Sequence, residues 1–266
     1  MADLAIYART VHTRIRADWQ YRVSFVLFLV GQTMLAGTDF AAVAVIFTAV
    51  HQLAGWSGAE VAFLYGLSGV CFGLGDLFIS PVEFASRHIK AGTFDHFLVR
   101  PVGALQQLLA TEFAARRLGR SLQPFVVLLI ALHLLDVDWN PATVALVVLS
   151  VVSGTAIYGS IWVITSSLAF WTVETQEIAN SFTYGGNALT NYPIDVLGNW
   201  LRRIVTFVVP LASIAYLPGI WLFDKPMPYG LPRIVAWSGP LVAVLAGLLA
   251  RVVWGQAIRH YRSTGS

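Results

Sequence analysis

What constrains this chain most is where its charges are absent. No Asp, Glu, Lys or Arg occurs in 23–38, 40–59, 61–75, 121–135, 139–173, 204–223 or 234–250. A helix needs about 20 mostly apolar residues to cross a bilayer. Read against that length, the sequence resolves into six hydrophobic units, at about 23–50, 61–80, 121–138, 141–171, 176–223 and 234–254, of which the fifth is too long for one crossing. Charged residues make up only 12% of the 266, half of the roughly 25% a soluble domain carries. A water-soluble globule and a disordered chain are both excluded. The chain reads as an integral membrane protein.

The basic residues orient it. Arg9, Arg14, Arg16 and Arg22 precede the first unit; Arg87, Lys90, Arg100, Arg116, Arg117 and Arg120 lie between the second and third; Arg251, Arg259 and Arg262 follow the last. The positive-inside rule assigns that side, with both termini, to the cytoplasm. The first segment is no cleavable signal, because three arginines interrupt it and no apolar stretch ends at a small-residue site. Instead Leu4, Tyr7, Ala8, Val11, Ile15 and Trp19 recur at helical spacing with Arg9, Thr13, Arg16 and Gln20 largely off the stripe. The spacing predicts an amphipathic interface helix over 1–22. Cys71, the single cysteine, rules out an intramolecular disulfide and reads as a small buried apolar residue.

The longest polar stretch is 81–120. Pro81, Gly92 and Pro101 punctuate it, leaving room for a short helix on each side of Gly92. Phe84, His88, Ile89, Phe94, Phe97 and Leu98 are large for a loop, and exposed apolar groups rimmed by charge predict a docking surface. Within it, IKAGTFDHFLVRPV resembles the loop after the second span in the small bacterial permeases of ABC-2-type exporters. Gly92, Asp95, Leu98, Arg100 and Pro101 match that family's G-x-x-D-x-x-L-x-R-P pattern. The stretch 191–222 is similar to the family's extracellular re-entrant hairpin, through Pro193, the Trp200-Leu201-Arg202 piece and Pro210. It departs in having Gly198-Asn199 where many relatives place a proline.

The resemblance spans nearly the whole chain. It implies an all-α integral membrane fold of six transmembrane helices in 23–266, with the amphipathic helix, a cytoplasmic coupling helix in the 81–120 loop, a re-entrant hairpin at 193–223 and a cytoplasmic tail at 255–266. It implies that Glu83, His88, Ile89, Lys90, Gly92, Phe94, Asp95, Leu98, Arg100 and Pro101 dock on an ATPase, and that Pro193, Trp200, Pro210 and Pro218 belong to an outer gate. It also implies cytoplasmic ABC ATPase subunits, a second permease (identical or homologous) and membrane lipid as partners, with no nucleic acid, in a bacterial inner membrane. Positive-inside counting favours a different topology, with 204–223 as an ordinary span and Arg202 and Arg203 cytoplasmic. Pro210 and Pro218 interrupt that span.

Four polar residues of the fifth unit, Asn180, Tyr184, Asn187 and Asn191, recur at helical spacing and share one face. They read either as the wall of a translocation pathway or as partners in interhelical hydrogen bonds. Asp39, in the first unit, sits near its outer end and is a further pathway candidate with Gln32, Thr33 and Thr38. Asp76, at the inner end of the second unit, reads as the partner of a cytoplasmic arginine.

Several motifs fail. Asn140-Pro141-Ala142 occurs once, without an inverted copy, and reads as a helix cap followed by Pro at the first helical position. No catalytic constellation and no metal-ligand pair is present, so no catalytic residue and no metal ligand is expected. The two lysines, Lys90 and Lys225, stand in no Walker A motif, so ATP and Mg belong on a separate ATPase chain. The expected function is the permease subunit of an exporter. The alternatives are an ATP-independent channel or secondary transporter, which would need no docking loop, and an intramembrane enzyme.

Overall fold

The computed structural model describes residues 2–172 and 176–261, with the side chains of all of these except 2–5, 176, 178 and 179. The Leu4 side chain of the expected stripe, Arg262 and the tail from 262 onward lie outside the described residues. The chain opens with helix α1 (Ala2–Gln20) and α2 (Arg22–Ala49), then a two-stranded antiparallel hairpin of β1 (Gln52–Leu53) and β2 (Trp56–Ser57). Helix α3 (Gly58–Phe78) starts on a capping box in which the Ser57 hydroxyl accepts from the Glu60 N–H and the Ser57 N–H donates to the Glu60 carboxylate. These bonds satisfy donors that a helix start otherwise leaves open.

Short helices α4 (Ala85–Lys90), α5 (Asp95–Leu98) and α6 (Ala104–Thr111) follow, then α7 (Gly119–Leu134) and α8 (Pro141–Ser167). Asn140 caps α8 through the Thr143 N–H at 2.9 Å, with Pro141 at the first helical position, as expected. The remainder is α9 (Gln176–Thr190), α10 (Asn199–Arg203), α11 (Tyr216–Leu222) and α12 (Gly239–His260).

Helix α3 is the centre of the fold. It lies between α7 and α8, with α2 against α7, α12 against α8, and α9 touching α3 and α8. Its most apolar stretch is 83% buried, whereas those of α2 and α12 are 11% and 17% buried and face outward. Three glycines allow α3 to approach α7 closely. A Cβ on Gly66, Gly69 or Gly73 would come within 2.7 Å of Leu128, 2.6 Å of Pro124 and 2.6 Å of Ser121 respectively. Small residues at such spacing are how helices meet where lipid supplies no hydrophobic drive. The ring of Pro124, which interrupts the α7 backbone ladder, packs over Gly69.

Among the described residues, five helices are long and apolar enough to span a bilayer: Arg22–Ala49, Gly58–Phe78, Ala115–Leu134, Pro141–Phe170 and Gly239–His260. These correspond to five of the six expected units. The fifth unit, 176–223, contains no helix of that length. Helix α9 has 15 residues, about 22 Å at 1.5 Å per residue against a hydrocarbon core of about 30 Å. After it the chain passes through a 3₁₀ turn at Ile194–Val196, α10, a π-helical stretch at Ile204–Val208, another 3₁₀ turn at Leu211–Ser213, and α11.

The alternative of one ordinary span over 204–223 is therefore overturned, since its longest α-helix is the seven residues of α11. Arg202 also lies at the wrong end for it. Arg202 pairs with Asp195 at 2.7 Å, and Asp195 accepts the Trp56 indole N–H at 2.9 Å. That places Arg202 beside the β-hairpin, a full helix length from the 81–120 loop.

Helix α1 forms as its periodicity predicts. Tyr7 and Val11 are half-buried against the protein, while Ile15 and Trp19 remain exposed on its outer part. Asp18 fastens it by accepting the Ala115 N–H at 3.1 Å.

Candidate functional site

Helices α2, α3, α7 and α9 border a cavity of about 120 Å³ that is open on one side, where Asp39 and Tyr184 are exposed. The helical repeat of α9 puts Tyr184, Asn187 and Asn191 on one wall; Asp39 of α2, Tyr65 of α3 and Arg120 of α7 complete it. Four of the five predicted pathway residues thus converge. The other, Asn180, is half-buried one turn before Tyr184 and does not border the cavity. Asn191 is only 7% exposed. The side-chain oxygens of Asn187 and Asn191 are buried and have no hydrogen-bond partner, so these amides do not spend their oxygens on interhelical bonds. The Tyr65 hydroxyl lies 2.7 Å from the Ala36 carbonyl and 2.8 Å from Gln123 Oε1.

One end of the cavity joins a buried charge cluster. Asp76 is 3% exposed and pairs with Arg117 at 3.1 Å and Arg120 at 3.3 Å, the arginine partnership expected of it from the sequence. Arg117 also donates to the Ser80 hydroxyl. Arg120 donates to the Tyr184 hydroxyl at 3.2 Å, and its guanidinium lies 5.3 Å from the centre of the Tyr184 ring. Nearby, Glu83 accepts the Trp162 indole N–H at 2.5 Å. Burial pushes the Glu83 carboxyl above the usual carboxylate range, against the opposing pull of Trp162 and Arg117.

The 81–120 loop folds with a helix on each side of Gly92, as predicted. Gly92 has a φ of +66°, a left-handed conformation that costs glycine little. His88 staples the turn through Nδ1 to the Thr93 hydroxyl at 2.9 Å and Nε2 to Glu112 at 3.1 Å.

The expectation that this loop's large apolar groups are exposed needs correction. Phe94 is fully buried and Phe97 nearly so, while Phe84, His88 and Ile89 are half-buried. Phe94 packs edge-on against Phe170 at 5.1 Å and against Tyr261 at 5.2 Å. The loop's aromatic side is thus held by the ends of two distant helices, which remove it from water. Around Gly92 the exposed residues are Arg87, Lys90, Ala91, Gly92, His96 and Leu98 through Pro101, with Asp95 half-buried beside Tyr261.

At the opposite end, Pro193 and Pro218 are buried, Pro210 is half-buried, and Trp200 is exposed. Asp195 gathers this region, since it also accepts the Tyr216 hydroxyl at 2.8 Å. No group of three or more metal-ligating side chains occurs among the described residues.

Sequence reasoning missed Tyr65 and Arg120 as cavity residues, and it missed the Gly66, Gly69 and Gly73 stripe. The stripe's +3 and +4 spacing was the available signal. For Tyr65 and Arg120 there was none.

Five spanning-length helices among the described residues, with the buried α3 at their centre and a polar cavity beside it, define a multi-pass α-helical membrane protein. The profile of the family described as ABC-2 family transporter protein matches residues 33–265. The chain belongs to that family and is a membrane permease of an ABC-type transporter. No curated protein and no solved structure matches it.

Proposed function

We propose that this permease is the membrane subunit of an exporter, paired with a second permease, identical or homologous, and driven by separate cytoplasmic ATPase subunits that hold ATP and Mg. It lies in a bacterial inner membrane with both termini in the cytoplasm. The stretch from Glu83 to Pro101 receives the ATPase through its exposed Lys90, Leu98, Arg100 and Pro101. Asp39, Tyr184, Asn187 and Asn191 line the path, and the re-entrant segment from Pro193 to Pro218 closes its outer end.

One observation carries this reading: a continuous polar connection runs from the loop to the cavity wall. Arg117 and Arg120 end the loop; Arg117 bonds to Ser80 just before the loop begins and shares Asp76 with Arg120, and Arg120 bonds to Tyr184. A push on the loop therefore acts on a side chain that borders the cavity, which gives the coupling a contiguous physical route.

The test is co-expression with the ATPase and any second permease encoded beside this chain. A complex should co-purify, and its ATPase activity should fall when Asp95 and Arg100 are replaced by alanine. Unchanged ATPase activity and export in those variants would remove the docking assignment.

A further inference from the structure

Helix α1 presents faces of different chemistry. Tyr7, Val11 and Asp18 recur at +4 and +7 and are half-buried against the protein. Ile15 and Trp19 lie one turn apart on a neighbouring flank, with Arg9, His12 and Arg16 at +3 and +4 beside them, and all five are exposed. From Ile6 to Arg22 the only acid is Asp18, which is turned inward. The exposed surface therefore carries Arg9, Arg14, Arg16 and Arg22 with no opposing charge.

Apolar and aromatic groups beside an unopposed basic stripe fit the headgroup region of an anionic bilayer, where each arginine strengthens attachment about fivefold. The corner with α2 fits the same place. The Arg22 guanidinium lies 5.8 Å from the centre of the Trp19 ring, and Trp19 meets Phe25 edge-on at 5.7 Å. An indole and a cation are thus held together where the first spanning helix begins, the level that interfacial tryptophans occupy.

The inner face of α1 grips the 81–120 loop at two places. Tyr7 and Thr10 border a cavity of about 90 Å³ together with Arg100, Val102 and Gln107. At the other end Asp18 accepts the Ala115 N–H at 3.1 Å and lies 3.8 Å from Arg116. Helix α1 therefore lies along α6 and is tied to the chain on both sides of it.

We propose that α1 binds the anionic phospholipid surface of the cytoplasmic leaflet through Arg9, Arg16, Trp19 and Arg22, and that this attachment steadies the 100–116 part of the loop. Lipid charge then sets how firmly the loop is presented to the ATPase. The inference rests on the proposed function for the leaflet that is touched and for the role of the loop. The binding itself rests on the charge and exposure of α1.

The experiment is hydrogen–deuterium exchange on the full chain in nanodiscs of phosphatidylcholine and, separately, of phosphatidylglycerol, at low and high salt. In phosphatidylglycerol, 6–20 and 100–116 should exchange more slowly than in phosphatidylcholine, by about fivefold for each arginine engaged. Salt should erase the difference. Arg9→Gln with Arg16→Gln should lose most of the effect in both segments. Arg9→Lys with Arg16→Lys should keep it, since a charged surface reads charge rather than guanidinium geometry. The buried α3 should exchange alike throughout, which shows the fold intact.

Equal exchange in the two lipids overturns the inference, as does slowing of 6–20 that never reaches 100–116, or loss of the effect in the lysine pair. Slowing in phosphatidylcholine by soluble glycerol phosphate would make the ligand a free anion, and slowing there by the ATPase would make α1 a protein contact. Either result overturns the lipid assignment. A chain that assembles with its ATPase but ignores lipid charge keeps the proposed function and loses this inference. A chain that responds to lipid charge but never assembles with an ATPase does the reverse.

Discussion

The close approach of α3 to α7 yields a prediction that can be worked from distances. A Cβ added at Gly73 would lie 2.6 Å from the Ser121 Cβ and 2.7 Å from the Ser121 Cα. Non-bonded carbons rest at about 3.5–4.0 Å, so the two helices must separate locally by roughly 1 Å. Because one of the opposing atoms is backbone, no side-chain rotation relieves the clash. The separation also loosens the contacts at Gly66 and Gly69. Overpacking of this kind costs about 1–3 kcal/mol.

Alanine also gains about 0.5–1 kcal/mol over glycine in a helix interior, and that gain must be cancelled. Gly255 on α12 provides the control, since nothing lies within 4 Å of its added Cβ. Gly73→Ala should therefore be less stable than Gly255→Ala by about 1–3 kcal/mol, a factor of roughly 5–150 in the unfolding equilibrium. The assay is unfolding by SDS titration in mixed micelles, followed by circular dichroism. Equal stability of the two variants would refute the argument that close helix contact is what these glycines provide.

Two further predictions concern the charge cluster. Asp76→Asn leaves Arg117 and Arg120 facing each other without a counter-charge and should destabilise the chain by about 3 kcal/mol, the lower end of the ~3–5 expected for a broken buried pair because both guanidinium groups keep some water. A loss below about 1 kcal/mol in the same SDS titration would mean the arginines do not depend on Asp76. Glu83 gives a pH dependence. Its folded-state carboxyl is held above its unfolded value, so the fold prefers the protonated form. The resulting instability is absent below the unfolded value and grows as pH rises through the folded one. Between mildly acidic and neutral pH, the native chain should lose melting temperature more steeply than Glu83→Gln; equal slopes would show that Glu83 carries no such cost.

Much of the architecture is legible in the sequence because bilayer thickness acts on every span alike. Five of the hydrophobic units correspond to helices α2, α3, α7, α8 and α12 within a few residues. The α8 cap, the helices on either side of Gly92 and the pairing of Asp76 follow from local chemistry in the same way. The burial of Phe94 is not legible, since it depends on Phe170 and Tyr261, which arrive from helices far along the chain. The α9 stripe is visible as a pattern, and Tyr184, Asn187 and Asn191 do share a wall. Their meeting with Asp39, Tyr65 and Arg120 is set by the α3–α7 contact, which no single segment encodes. The fifth unit is hardest to read, because its composition suits a span while its two prolines divide it into pieces too short to form one.

The central position of α3 also has a consequence in time. Its two flanking helices are both made after it, so the most enclosed span is complete before its neighbours exist. Ribosomes add about 5–20 residues per second, and roughly 90 further residues separate the end of α3 from the end of α8. For on the order of 5–20 s, therefore, the Ser68 hydroxyl faces lipid or the insertion machinery without its Tyr158 partner. The glycine face that later fits α7 is equally uncovered. Helix α2, made just before, contacts α3 only lightly and shields little of it. Newly made chains are thus most open to misassembly and to membrane proteases during this interval, and a pause in translation between α3 and α8 would lengthen it.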